Sequence, residues 1–378
     1  MLDERNYWLS FSVFSGIGPI RFKKLLLRFG SAKDAWGAPK SDLTKALGEK
    51  LAEKFDRFRL EFSIQDYARR LLREGVPFLI LTDKEYPELL SQIKNPPFLL
   101  YVKGDMKILN QSMKQVQDRV QNDNGRRYIA VVGTRKTSQY GREVTKILTE
   151  QLVANGFVIV SGLAIGIDAI SHKTAIENNG KTMAVLGCGV DCCFPKENQG
   201  LYNSIINGNG CVISEYPLGQ LPTKGSFPSR NRIIAGLSMA VLVTEGAEDS
   251  GALITADYCL KFGRRVFAVP GPITSGNSKG PFKLLSKGAK LVTKGEDILR
   301  ELKVKSEKLK IKVQNLQVKD ATEEELKILK LLQNEPLHFD ELARRTGLDS
   351  ARIGSILSLM EIKGMVKGLE AGLFSITS

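Results

Sequence analysis

Residues 128–140, YIAVVGTRKTSQY, and residues 156–172, GFVIVSGLAIGIDAISH, repeat one pattern: an unbroken apolar, β-branched run, a loop of small residues, then a helical stretch. A strand that is apolar on both faces belongs to a parallel sheet covered by helices on each side. Four further runs follow, Met183–Leu186, Cys211–Ile213, Ala240–Val243 and Val266–Val269, and most of the six are separated by helical patterns such as Tyr140–Asn155, Asp168–Asn178 and Gly251–Phe262. The alternation predicts an α/β chain whose core is a Rossmann-type, parallel-rich sheet. Ligands of such sheets sit at the carboxyl ends of the strands. The glycines of this chain cluster there.

Outward from that core, the segment to about Leu60 reads as short helices punctuated by Gly16-Ile17-Gly18-Pro19, Gly30-Ser31 and Gly48. This predicts a small N-terminal helical domain of sterile-alpha-motif or helix-hairpin-helix kind. In the latter, amides at a helix N-terminus meet a phosphate; a plain helix-connecting turn is the competing reading. Two short apolar runs, Phe78–Leu81 and Phe98–Val102, extend the sheet or lead into it, and the polar stretch between Gly104 and Arg127 reads as a surface insertion. Past Val292 a lysine-rich linker precedes three helical patterns, Glu323–Gln333, Phe339–Thr346 and Ser350–Gly364, closed by a strand pair around Met365–Ile376. That order predicts a C-terminal winged-helix domain. The expected division is therefore 1–68 helical, 69–300 the extended Rossmann-type core, 301–321 linker and 322–378 winged helix.

The 378 residues carry 55 Lys and Arg against 41 Asp and Glu, a net charge of +14. Such a field attracts polyanions, nucleic acid first, although a basic surface also serves solubility. A hydrophobic share of 42% and a charged share of 25% are those of a soluble globular protein, and no stretch reads as a membrane span. The start, MLDERNYWLSFSVFSG, lacks a basic region before an apolar run, so no signal peptide is expected and a cytoplasmic location is. Five cysteines, an odd number, then read as thiols.

The strand ends supply a candidate anion cradle. After the first strand, Gly133, Thr134, Arg135 and Lys136 combine backbone access, a hydroxyl and two cations at a helix opening; after the second, Ser161, Gly162 and Gly166 lead into another helix N-terminus. Further on, Arg230 and Arg232 flank Asn231, so the cations are expected to grip phosphates while the amide reads a base or fixes the loop. Ser250 and Gly251 open a third helix, and Phe194 is a candidate for stacking on a base, or else a half-buried loop anchor.

Other chemistries are thinly represented. Gly187-Cys188-Gly189 lacks the third glycine of a dinucleotide loop, Cys192 standing in its place, and Gly180-Lys181-Thr182 leads into a strand, with Ala175 where a P-loop needs glycine. No cofactor is therefore expected. Asp168 and His172, four apart, can make a general-base pair or a structural hydrogen bond, and Cys188, Cys192 and Cys193 lack metal-ligand spacing. The winged helix presents an apolar third helix, with Ile353, Ile356, Leu357, Leu359 and Met360 and only Arg352 and Lys363 as cations, which suits protein contact better than duplex reading.

Taken in order, GTR from Gly133, SGLAIGIDAISH, GCGVDCCFPKEN, SEYPLG, FPSRNRIIAGLS, EGAEDSGALITA and FAVPGPI closely resemble the DNA-processing protein A (DprA/Smf) family over about 165 residues. The resemblance implies a non-enzymatic, dimeric protein that binds and shields single-stranded DNA and loads RecA-type recombinase onto it, above all in natural transformation. It also implies DNA-gripping roles for Arg135, for the loop of Phe194 and Lys196, and for Arg230 and Arg232. The chain departs from the family at Cys192-Cys193-Phe194-Pro195, where a basic residue and Tyr-Pro are usual, and at Ala252, where a serine is common. An enzyme or sensor for a nucleotide-derived small molecule, with a loop near Glu245, is the alternative from another class, and a duplex-binding regulator acting through the winged helix is a third.

Overall fold

A computed structural model describes residues 2–109, 127–304, 322–332, 336–369 and 372–376. The polar insertion expected between Gly104 and Arg127 and the linker at 301–321 fall largely outside the described residues. The chain forms two compact units, 1–306 and 307–378.

The first unit is built on a nine-stranded sheet in the order β1-β2-β6-β5-β4-β3-β7-β8-β9. The strands are β1 (Phe78–Ile80), β2 (Leu99–Gly104), β3 (Arg127–Val132), β4 (Phe157–Ser161), β5 (Thr182–Val185), β6 (Gly210–Ser214), β7 (Ala240–Val243), β8 (Arg265–Ala268) and β9 (Lys290–Leu291). From β6 to β9 all neighbours are parallel; β2 joins β6 antiparallel, and β1 joins β2 antiparallel. The two early strands thus extend the sheet, as their apolar runs suggested.

The continuous apolar runs have the expected cause. In β3, Ala130 and Val132 pack into one core while Ile129 and Val131 pack into another on the opposite face. Each central strand is buried on both sides, so alternation disappears. Full burial of side chains of this size stabilises by roughly 1.5–3 kcal/mol each.

An independent helical domain over 1–68 is not what the structure contains. Helix Ile64–Arg73 runs straight across the expected boundary. The N-terminal helices put Trp8, Phe11, Phe22 and Phe55 into the same apolar cluster as Leu99 and Tyr101 of β2, Ala184 of β5 and Val212 of β6. Tyr101 is fully buried, and its hydroxyl needs partners there. It meets the hydroxyls of Ser12 at 2.5 Å and Tyr67 at 3.4 Å, and Tyr67 in turn accepts from the Leu218 amide at 3.0 Å. The helical segment covers one face of the sheet at β1, β2, β6 and β5, which without it would be an exposed apolar surface.

In the second unit, helices Glu323–Leu332, Phe339–Thr346 and Ser350–Ile362 pack on a three-stranded sheet, β10 (Leu337–His338), β11 (Val366–Gly368) and β12 (Leu373–Ile376), in the order β10-β12-β11. Sequence reading found the last two strands and missed β10, whose two residues are too few to show a pattern. The third helix turns Ile353, Leu357 and Met360 inward. Its cations Arg352 and Lys363 are paired with Glu324 at 3.0 Å and Glu325 at 2.8 Å.

Candidate nucleic-acid interface

From β3 the chain steps outward through β4, β5 and β6, then returns to the other side of β3 as β7. The connections leaving β3 and β7 therefore diverge and open a crevice at the carboxyl edge of the sheet. A cleft of about 560 Å³ lies there, bounded by Gly133, Thr134 and Arg135 after β3, Asp168 after β4, Lys224 to Asn231 at the start of helix Ser226–Leu237, and Ala247 to Ala252 after β7.

Arg135, Lys136, Lys196 and Lys224 are exposed. The Arg135 guanidinium lies over the Phe227 ring, 5.6 Å from its centre. Phe227 is in turn 5.6 Å from the ring of Phe194, which is 42% exposed. A cation and two aromatic rings thus stand in a row. Such a row can hold a phosphate at one end and stack bases along its length. Phe194 is anchored on Phe227 and open to solvent. Phe227, the first residue of the string FPSRNRIIAGLS, carries no local signal for this placement beside Arg135 and Phe194.

The two glycine loops are braced against each other. Thr134 donates its amide to the Glu245 carbonyl at 2.8 Å and accepts from the Ile167 amide at 3.2 Å. Gly133 and Thr134 line the cleft beside Arg135, and Gly166 supplies the positive φ of +92° that starts helix Ile167–Glu177. Ser161 and Gly162, expected to face a phosphate, are buried. The Ser161 hydroxyl donates to the Val131 carbonyl at 2.7 Å and the Gly162 amide to Asp168 Oδ2 at 3.1 Å. Both belong to the scaffold beneath the cleft. Across it, Ser250 caps helix Gly251–Lys261, and Asn231 Nδ2 donates to the Gly251 carbonyl at 3.2 Å, so the amide fixes the loop.

The basic triplet divides. Helix Ser226–Leu237 begins before Arg230, so Arg230 and Arg232 lie two apart inside a helix, where such residues point about 200° apart. Arg230 is 5% exposed and donates to the Gly162 and Val185 carbonyls, lying beneath the cleft. Burial pushes its pKa down, against the pull of Asp168. Burial likewise raises Asp168, and Arg230 opposes that rise. Arg232 leaves the cleft altogether: it pairs with Glu215 and donates to the Asn95 carbonyl at 2.9 Å. It lines a separate cavity of about 330 Å³ together with Gly16, Ile17, Gly18 and Pro19, the turn read as hairpin-like. The pair is not one grip on successive phosphates.

Asp168 and His172 do not meet as acid and base. Thr182 donates its hydroxyl to the Ile159 carbonyl at 2.8 Å and so accepts, at 2.6 Å, from His172 Nδ1, which must carry the proton. Burial lowers His172 to about 3. The cysteines near the cleft are free thiols, Cys188 donating to the Cys192 carbonyl and Cys193 to the Pro195 carbonyl.

A family model described as DNA recombination-mediator protein A matches residues 77–303, and one described as the DprA winged helix domain matches 315–372. The chain belongs to the DNA recombination-mediator protein A family. The matched span begins at β1, so the family core includes the two antiparallel strands beyond the motif-bearing block. The chain is 37% identical over 302 residues to Protein Smf of Synechocystis sp., covering 79% of this chain and 73% of that one. It is 43% identical over 241 residues to the DNA processing protein DprA of Streptococcus pneumoniae, covering 64% and 79%. The X-ray structure of S. pneumoniae DprA superposes with a TM-score of 0.67 at 34% identity, over 80% of this chain and 98% of that one. DNA processing protein A from Helicobacter pylori, whose structure concerns its single-stranded DNA binding mode, gives a TM-score of 0.51 at 29% identity, over 60% and 95%.

Proposed function

We propose that this chain binds single-stranded DNA along the mouth of the strand-end cleft, shields it and loads a RecA-type recombinase onto it, working as a homodimer in the cytoplasm during transformation or recombination. The observation that carries the reading is the row of exposed Arg135, half-buried Phe227 and exposed Phe194, together with the exposed Lys136, Lys196 and Lys224. Exposed cations meet phosphates, aromatic ring faces accept any base, and neither requires a duplex. Gly133, Thr134, Ser250 and Gly251 line the cleft and let the backbone come close, Gly166 lets the second loop pack against the Thr134–Arg135 backbone, Asn231 braces the loop, and Arg230 stiffens the floor. The H. pylori relative's single-strand binding supports the choice of ligand; recombinase loading and the dimer rest on family membership. The role is binding rather than catalysis, because Asp168 and His172 are both turned to structural partners.

The winged helix fits a protein contact. Residues 322–378 hold nine acidic and seven basic side chains, in a chain that is otherwise strongly basic. Both cations of its third helix are already paired. An electrophoretic shift series with single strand and duplex, each with and without a RecA-type recombinase, tests the proposal. Preferential single-strand binding and faster recombinase assembly are expected. Equal affinity for duplex, or no single-strand complex at low salt, refutes it.

A further inference from the structure

In nucleotide-binding sheets of this class, the phosphate of the ligand sits on the N-terminus of the helix that follows the first parallel strand, where free amides and the helix dipole favour negative charge. Here that helix is Gln139–Ala154, sixteen residues long, and its N-terminus is occupied from within the chain. Glu245, two residues beyond β7, is 2% exposed. Its carboxylate accepts from the Ser138 amide at 3.1 Å and from the Ser138 hydroxyl at 2.5 Å, while the same hydroxyl accepts from the Gly141 amide at 3.0 Å. Gly141, in the first turn, makes room for it. A Cβ at that position would stand 1.9 Å from Glu245 Oε2.

We infer that Glu245 is an internal stand-in for a nucleotide phosphate, a specificity residue that closes the helix N-terminus to free nucleotides and leaves the cleft to a polynucleotide held at its rim. The inference rests on the single-strand reading of the cleft. A mononucleotide brings one phosphate group and one base, and its strongest anion site is filled by a carboxylate that is already hydrogen-bonded. A single strand does not need that site, because Arg135, Lys136, Lys196 and Lys224 lie outside it and are exposed. Two positions far apart in sequence, Gly141 and Glu245, encode the closure. This separates the chain from a sensor of a nucleotide-derived small molecule.

The test uses inorganic phosphate and AMP as probes on the full chain. For the wild type, neither should raise the melting temperature in a saturable way nor displace a bound oligonucleotide. Displacement of the oligonucleotide by AMP overturns the inference without any variant. Glu245→Ala frees the Ser138 amide and hydroxyl, so phosphate should then stabilise the variant with a saturating rise in melting temperature, and AMP should compete with single strand. A folded Glu245→Ala protein, judged by circular dichroism, that gains no phosphate response also overturns it. Loss of single-strand binding by the wild type would instead count against the cleft as a DNA site, so the two failures are distinguishable.

Discussion

Arg230→Ala should act on the fold before it acts on DNA. Its guanidinium is 5% exposed and donates to the carbonyls of Gly162 and Val185. Bonds from a charged donor contribute about 1.5–3 kcal/mol each, and removing one member of a buried charged cluster typically costs about 3–5 kcal/mol. The variant strands two carbonyls and leaves Asp168 without its counter-charge; Gly162 meanwhile keeps the shape that accommodates the guanidinium, since a Cβ there would lie 2.2 Å from an Arg230 nitrogen. A cost of about 3–5 kcal/mol against a total of about 5–15 kcal/mol leaves little margin. At about 2–4 °C per kcal/mol for domains somewhat smaller than this one, the melting temperature should fall by on the order of 10 °C. Calorimetry reads the shift, and a salt series on the folded protein at low temperature reads binding. A variant that melts within about 2 °C of the wild type yet loses its single-strand affinity would show that Arg230 contacts DNA and does not hold the floor.

Arg135→Ala is the converse, because the side chain is exposed and lies over the face of the Phe227 ring. Its melting temperature should hardly move, while the slope of log affinity against log salt falls by about 0.7 for one lost phosphate contact to a single strand. Phe194→Ala removes a stacking ring that is 42% exposed and should weaken single-strand binding by about 1–3 kcal/mol with an unchanged salt slope, read by fluorescence anisotropy. For His172, lowered to about 3 in the fold, the unfolded chain takes a proton below about pH 6.5 while the native state does not. Stability is therefore complete above that pH and declines by about 1.4 kcal/mol per pH unit from about 6.5 toward 3. Burial raises Asp168 and Glu215, which gives the opposite slope. The difference between wild type and His172→Asn in urea melts between about pH 6 and 4 isolates the histidine.

The parallel strands were legible because burial on both faces erases alternation, and the cleft was legible because ligands of such sheets gather where strand order reverses. What escaped were facts of direction. Arg230-Asn231-Arg232 reads as one basic patch in a string, but a helix beginning at Ser226 sends its arginines to opposite sides. Ser161 and Gly162 looked like ligand donors because nothing local reveals that Val131 and Asp168 already take their hydrogens. The N-terminal helices looked separable because their amphipathic pattern is the same whether the apolar face meets its own core or the sheet. Glu245 and Gly141 lie far apart in sequence, and only the fold shows that the glycine makes room for a carboxylate bound to the Ser138 cap.

The most direct measurement of where DNA lies is hydrogen exchange by mass spectrometry of the full chain with and without a saturating single strand. Slower exchange is predicted in segments 133–138, 194–196 and 224–231, with the winged helix at 322–376 unchanged. Protection confined to the winged helix, with the strand-end loops exchanging as in the free protein, would contradict the assignment of the cleft.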